Sequence, residues 1–333
     1  LQRVLVVGSN LRKDHPLFAQ RIRQAARHGA QVSAIASAAQ KAQGWALPLA
    51  NNLVTDASGW AQALADVAAA IAAEKGVAAP AAGNASAQAQ AMAKSLLGGE
   101  RKAVLLGNGA AHHANASSLL VLANWIGEQT GASVGYLTEA ANTVGAQWAK
   151  AQPQSGGKNA AQMLDGSLKA VLLLNTEPEF DTAAGAAAVA ALDKAEMVVT
   201  LSPFKANLAF SDVLLPIAPF TETSGSFVNA EGRLQSFHAV VKPRGETRPA
   251  WKVLRVLGNL LNVPGFTYET SQEVLAKVQA QPLQLSNAVR ADVRLGGAVA
   301  EPVVAPIYQL DGIVRRAPAL QQTADARLAK EVA

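Results

Sequence analysis

Three short runs in this 333-residue chain place hydrogen-bonding groups where a phosphate or a nucleotide could be held: Gly8-Ser9-Asn10, Gly107-Asn108-Gly109 and Asn175-Thr176-Glu177. Each follows a stretch of aliphatic residues, Val4 to Val7, Ala103 to Leu106 and Ala170 to Leu174. A turn at the end of a buried strand exposes backbone N–H groups, and an anion is the ligand such groups favour. Gly107-x-Gly109-x-x-His112 has two of the three glycines of a dinucleotide turn. The acidic residue about 20 positions on that would hold a ribose is Glu128, which falls on a predicted helix and not at a strand end. A tight structural turn explains these residues as well as a nucleotide does.

Other chemistries lack their anchors. G-x-x-x-x-G-K-[ST] does not occur, which removes the P-loop, and the one G-x-S-x-G match, Gly131-Ala132-Ser133-Val134-Gly135, follows a predicted helix where a nucleophile elbow needs a strand before its turn. The five histidines, His15, His28, His112, His113 and His238, include no i, i+4 pair with a glutamate. His112 and His113 are adjacent, so on a helix they diverge by about 100° and share a metal poorly. There are no cysteines, so thiolate-held zinc, iron–sulfur clusters, disulfides and a cysteine nucleophile are all excluded within these residues. The formal charge is +5. Its densest basic groups, Arg21 to Arg27 and Lys242 to Arg255, have Trp251 as their one neighbouring aromatic, so no nucleic-acid partner is expected.

The elements needed to position these turns are legible. Arg3 to Val7 reads as a strand, a helix with apolar Leu17, Ile22, Ala25 and Ala26 closes at His28-Gly29, and Gln31 to Ile35 reads as a second strand. That is a βαβ unit, and it predicts a parallel sheet with ligands at its carboxyl edge. Helices are predicted over 60–75, 84–97 and 116–130, and an irregular connection over 131–166. A strand over 169–174, an Ala-rich helix over 183–194, a strand over 197–201 and a short apolar stretch at 213–216 follow. Half of the residues are apolar but only 5% are aromatic, so the core must be built from small aliphatic side chains. No run reaches the ~20 apolar residues of a membrane span, so no direct membrane insertion is expected. The absence of an initiator Met and of a signal-peptide core suggests a segment of a longer protein. The length predicts two α/β domains, 1–148 and 149–280, with a partly irregular C-terminal extension over 281–333 whose tail is peripheral.

The remaining signal is Ser211-Asp212-Val213-Leu214-Leu215-Pro216, then Glu222, Gly225, Phe227, Asn229, Glu231-Gly232-Arg233 and Gln235. By composition it is a folded loop whose Arg233 could pair with Glu231 or Glu222. This run resembles the (A/S)-D-V-V-L-P…E…G-(T/S)-F-x-N-x-E-G-R-x-Q pattern of the molybdopterin oxidoreductase superfamily, over roughly residues 1–265. Within it, Leu173 to Asp181, Ala218 to Gly225 and Glu139 to Ala146 resemble the C-terminal half of the G subunit of bacterial NADH:quinone oxidoreductase, respiratory complex I.

The resemblance implies two Rossmann-like, doubly wound parallel-sheet domains of the formate dehydrogenase/DMSO reductase type. It places Gly8, Ser9, Asn10, Gly107, Asn108, Gly109, Asn175, Thr176, Glu177, Gly225, Asn229, Glu231, Gly232 and Arg233 at family cofactor-facing positions, here vestigial. It further implies a scaffold without a catalytic residue, without molybdopterin, and with iron–sulfur clusters in a cysteine-bearing part that precedes it. The implied partners are other peripheral-arm subunits, on the cytoplasmic side of the inner membrane. Two readings stand beside it: the cofactor half of an active formate- or nitrate-type molybdoenzyme, and a free-standing nucleotide-binding module.

Overall fold

The computed structural model describes residues 1–42, 44–297 and 299–332, with side chains through Leu328. The first sheet contains β1 (Arg3–Val7), β2 (Gln31–Ala36), β3 (Asn51–Val54), β4 (Lys102–Leu106) and β5 (Ser133–Tyr136). They pair in the order β3-β2-β1-β4-β5, every pair parallel. Alternation along β1 divides the interior into two layers. Leu5 and Val7 join Ile35, Val104 and Leu106 under the helices Trp60–Lys75, Ala87–Leu97 and Ala116–Thr130. Val4 and Val6 face the opposite way, toward Ile22 of the helix Pro16–Arg27, Leu11 and Trp45. Continuous aliphatic strands are what a parallel sheet covered on both faces requires. The alanine-rich composition has its use here: ten of the sixteen residues of Trp60–Lys75 are buried, six of them alanines, so neighbours approach closely.

The second sheet holds β6 (Ala170–Leu174), β7 (Met197–Ser202) and β8 (Val213–Pro216), parallel and in that order. Leu173, Val198 and Leu192 of the helix Ala186–Leu192 form its small buried cluster. β9 (Gly225–Val228) and β10 (Leu234–Phe237) form a separate antiparallel pair. The α/β architecture with parallel sheets agrees with the fold class read from the sequence.

Several local expectations change. The connection over 131–166 contains β5 and the helix Thr143–Trp148. Ser133-Val134-Gly135-Tyr136 escapes a pattern search because it is a short edge strand with one strong aliphatic residue. β3 escapes the pattern for a similar reason: Asn51-Asn52 has no strand propensity, and its pairing comes from β2. The glycine- and serine-rich stretch after Pro216 forms a hairpin, where a loop was expected.

The chain divides into two compact units, Leu1–Glu139 joined by residues from Ser286 onward, and Ala140–Leu285. These limits differ from the changeovers expected at 148 and 280. Asn142, before the helix Thr143–Trp148, accepts the Val228 N–H through its Oδ1 at 2.8 Å and so belongs to the second unit. The C-terminal stretch is tied to the first unit by polar groups and by Val293 and Leu295, which pack against its core. Asn287 donates to the Val134 carbonyl at 2.6 Å, the Arg294 N–H to Ser118 Oγ at 2.9 Å, and the Ala57 N–H to Glu301 at 2.7 Å. Its tail is helical over Ala324–Val332, with Ala326 fully buried and Asp325 bridging Arg12 and Lys13 at 2.9 and 2.7 Å. Ala298 and Ala333 of that stretch lie outside the described residues.

Candidate functional site

The turns after β1 and β4 lie against each other at the point where the strand order of the first sheet reverses. That is the usual ligand crevice of an open parallel sheet. Gly8 has φ +64°, and a Cβ there would come within 2.7 Å of both the Ala110 nitrogen and the Trp60 ring. A Cβ at Gly107 would lie 2.1 Å from Ser9 Cβ, and one at Gly109 2.8 Å from the Gly8 carbonyl oxygen. The glycines therefore let one turn of the protein touch another. Trp60 fills the space beneath them, donating through Nε1 to the Thr55 carbonyl at 3.2 Å and stacking on His113 at 5.7 Å. His113 is buried. Its Nδ1 accepts the Asn115 N–H and its Nε2 donates to the Ala57 carbonyl, both at 2.9 Å, which assigns the ring hydrogen to Nε2.

The donors of the first turn are taken by an internal carboxylate. Asp14 Oδ2 accepts from Ser9 Oγ at 2.8 Å and from the Asn10 N–H at 3.1 Å. Asn10 Nδ2 donates to the Gln40 and Gly44 carbonyls, each at 3.0 Å. Burial raises Asp14 above the usual carboxylate range, against the pull of Ser9, His15 and Asn10. Burial also lowers His15, opposed by the Asp14 charge and the Asn108 side chain. Asn10 Oδ1, Asn108 Oδ1 and His15 Nε2 are buried and make no hydrogen bond of ordinary geometry among the described residues, Asn108 acting on His15 by proximity. The two amide oxygens are acceptors, the wrong polarity for a phosphate oxygen.

The second unit repeats this device after its own first strand. Asn175, at φ +50°, donates its N–H to the Leu201 carbonyl of β7 at 2.7 Å, as Gly8 does to Ile35 of β2 at 3.0 Å. Asp181 Oδ2 then accepts from Thr176 Oγ1 at 3.2 Å and from the Glu177 N–H at 2.7 Å. Residues 8, 9, 10 and 14 thus correspond to 175, 176, 177 and 181. The sequence reading missed both aspartates. Their signal was a Ser or Thr five positions before an Asp, after an aliphatic run, and it is visible only when the two runs are set side by side.

The hairpin residues mostly serve its own folding. Asn229 Oδ1 accepts the N–H groups of Glu231 and Arg233 at 3.0 and 2.9 Å, and Gly232 sits at φ +81°. Gly225 leaves room for Phe237, whose ring would lie 2.5 Å from a Cβ there, and Phe227 meets Phe237 edge to face. Glu222 accepts the Arg244 N–H at 3.0 Å, and Asp212 accepts the Val198 N–H at 2.7 Å. The pairing of Arg233 with Glu231 or Glu222 is not formed. The tight Asn229–Gly232 turn leaves the Glu231 and Arg233 side chains exposed, and the Glu222 carboxylate is used elsewhere.

Gly8–Asn10 and Gly107–Gly109 are thus brought together in the first unit, whereas Asn175–Glu177 and Gly225–Arg233 belong to the second. His112 is turned away from His113 and meets Glu139 at 2.7 Å. The hydrogen bond raises His112 and lowers Glu139. Among the described residues no group of three His, Asp or Glu could hold a metal ion, and no helix is long and apolar enough to cross a membrane.

Comparison with known proteins agrees with this architecture. The family model described as "Molybdopterin oxidoreductase" matches residues 2–260. The NADPH-Fe(3+) oxidoreductase subunit alpha of Geobacter sulfurreducens is 30% identical over 168 residues, 47% of this chain and 20% of that protein. The mitochondrial NADH-ubiquinone oxidoreductase 78 kDa subunit of Candida albicans is 46% identical over 54 residues, 16% of this chain and 8% of that protein. A putative formate dehydrogenase of Staphylococcus aureus is 32% identical over 90 residues, 27% of this chain and 9% of that protein. The chain therefore matches a fifth or less of the length of these relatives.

Proposed function

The chain belongs to the molybdopterin oxidoreductase family, and we propose that within it the chain is a scaffold segment of a G-type subunit of NADH:quinone oxidoreductase, with no catalytic centre of its own. In this role it supports iron–sulfur clusters held by cysteine-bearing polypeptide outside these residues. It works beside other peripheral-arm subunits on the cytoplasmic face of the inner membrane. Electrons passing from NADH toward quinone travel near it and not through it.

One observation carries this reading: the chain's own aspartates occupy the turns the family would use for its cofactor. The pterin dinucleotide that the family implies is a poor fit to these residues. A phosphate at Ser9-Asn10 would meet the Asp14 carboxylate, one at Thr176-Glu177 would meet Asp181, and the glycine faces that would admit a ligand are filled by Trp60 and Ala110. No step of a reaction is assigned to these residues. Support for a nicotinamide-linked assembly comes from two relatives named as oxidoreductases of NADPH and of NADH.

The test is metal, pterin and electron-resonance analysis of the protein in its native assembly. Iron–sulfur signals reducible by NADH, with molybdenum and tungsten at background, are the expected result. Stoichiometric molybdenum or tungsten with extractable pterin would overturn it in favour of an active formate- or nitrate-type enzyme. Micromolar binding of NADH, ATP or GTP by the chain alone would instead favour the nucleotide-binding module.

A further inference from the structure

Among the described residues one face of the second sheet is closed, while the other is covered at its centre, where Leu201 is fully buried, and open along Leu172, Leu174, Met197 and Val213. Its register sets Leu172 beside Val199 and Val213, and Leu174 beside Leu201 and Leu215, with Met197 on the same side. The opposite side carries Leu173 and Val198, closed by Leu192. On the first side Leu172 is 45% exposed, Leu174 43%, Met197 50% and Val213 40%. The helix Ala250–Leu260 borders this face at β8, where Leu215, Val253, Leu257 and Leu260 line a groove of about 440 Å³. Only Gly258 of that helix is buried, and Leu260 is 75% exposed. Parallel sheets are stable when both faces are covered, and a contiguous aliphatic surface of this kind marks an interface.

We infer that this face seats an amphipathic helix of a partner subunit. The helix lays an aliphatic stripe over Leu172, Met197 and Val213, alongside Ala250–Leu260, and turns carboxylates toward Arg248 and Lys252. The inference rests on the proposed membership of a multisubunit oxidoreductase. The stripe is aliphatic because Leu172, Met197 and Val213 offer it no hydrogen-bonding group. The flank must be acidic because Arg248 and Lys252 line the groove, are exposed, and have no carboxylate partner among the described residues, whereas Arg255 is already paired with Glu269. A second copy of this chain fits less well, since a two-fold contact would bring two basic rims to one interface.

The test places a photo-reactive phenylalanine derivative at Leu172 or Met197 of the full chain, in its native host. The assembled complex is then irradiated and the adduct mapped by peptide sequencing. The expected adduct is one helical stretch of a partner subunit, with apolar residues at i, i+3, i+4 and i+7 and Asp or Glu along one flank. Lys252→Glu should lower its yield about tenfold, and the same probe at Leu17, exposed on the first unit, should give no such adduct. Adducts on another copy of this chain, on the chain itself, on many unrelated proteins, or none in an intact complex would overturn the inference. Two failures are distinguishable: a chain that purifies with no partner subunit defeats the proposed function, whereas a chain with partners and no adduct at Leu172 defeats only the seat.

Discussion

The two units begin alike and end differently. In each, the first strand is aliphatic and leads into a residue at positive φ, a hydroxyl side chain and an aspartate that accepts from both the hydroxyl and the next N–H. Around that shared start, the first unit places helices on both faces of five strands, and the side chains of β1 alternate between two buried layers. The second closes one face of three strands, buries only the centre of the other at Leu201, and leaves Leu172, Met197 and Leu260 exposed. A repeated local device thus fixes the turn in both units, while the number of covering layers decides whether a unit completes its own core. The first buries both layers of its sheet, and the second leaves part of one face exposed among the described residues.

The sharpest way to break this contrast is in the cores. Leu64→Ala, at a fully buried position of the first unit, should cost ~3 kcal/mol through the cavity it leaves. Leu172→Ala in the isolated chain should cost under ~1 kcal/mol, since that side chain is already half in water. Urea titration of both variants measures the difference, and equal losses would show that the second sheet is covered on both faces. The paired turns come next. Asp14→Ala strips the acceptor from buried Ser9 and Asn10 and should cost ~2 kcal/mol, whereas Asp181→Ala at an exposed turn should cost under ~1 kcal/mol. Thermal unfolding of the two variants checks the order.

Smaller effects separate the C-terminal return from the site. The hydrogen bonds from Arg12 and Lys13 hold Asp325 down at about 2, from an ordinary value of 3.8. Its contribution is complete above pH 3.8 and fades as pH falls toward 2. The side chain is 37% exposed, so solvent screening limits this to ~1 kcal/mol or less. Asp325→Asn should remove that much at pH 6 and progressively less as the pH falls through 2, read from acid unfolding curves. The smallest effect belongs to His112 and Glu139, both about half exposed. His112 is raised above 6.5, so its part is present below pH 6.5 and lost as pH rises through the raised value. Glu139 is lowered below 4.5, so its part is lost as pH falls through the lowered value. A shallow stability maximum between pH 4.5 and 6.5, a few tenths of a kcal/mol high and absent in Glu139→Gln, is the expected melting profile.

Much of the fold was legible because buried parallel strands are written as aliphatic runs. Val4–Val7, Ala103–Leu106 and Ala170–Leu174 needed no neighbours to be recognised. β3 and β5 were not legible, since Asn51-Asn52 and Ser133-Val134 become strands only through the strands they pair with. The candidate positions were legible as turns, but their use was not. Gly107 could admit a phosphate or a neighbouring turn, and its nearness to Ser9, about a hundred residues away, decides for the turn.

Composition and pattern alone determined the α/β class, the cysteine-free chemistry, the strand-end turns and the motif from Ser211 to Gln235. These follow from periodicity and residue type, which are local properties. Only the tertiary structure decided that Asp14 and Asp181 occupy the turns, that residues beyond Ser286 return to the first unit, and that one face of the second sheet leaves Leu172, Met197 and Val213 exposed. Each of these depends on which distant groups meet, and no spacing within a single segment encodes that.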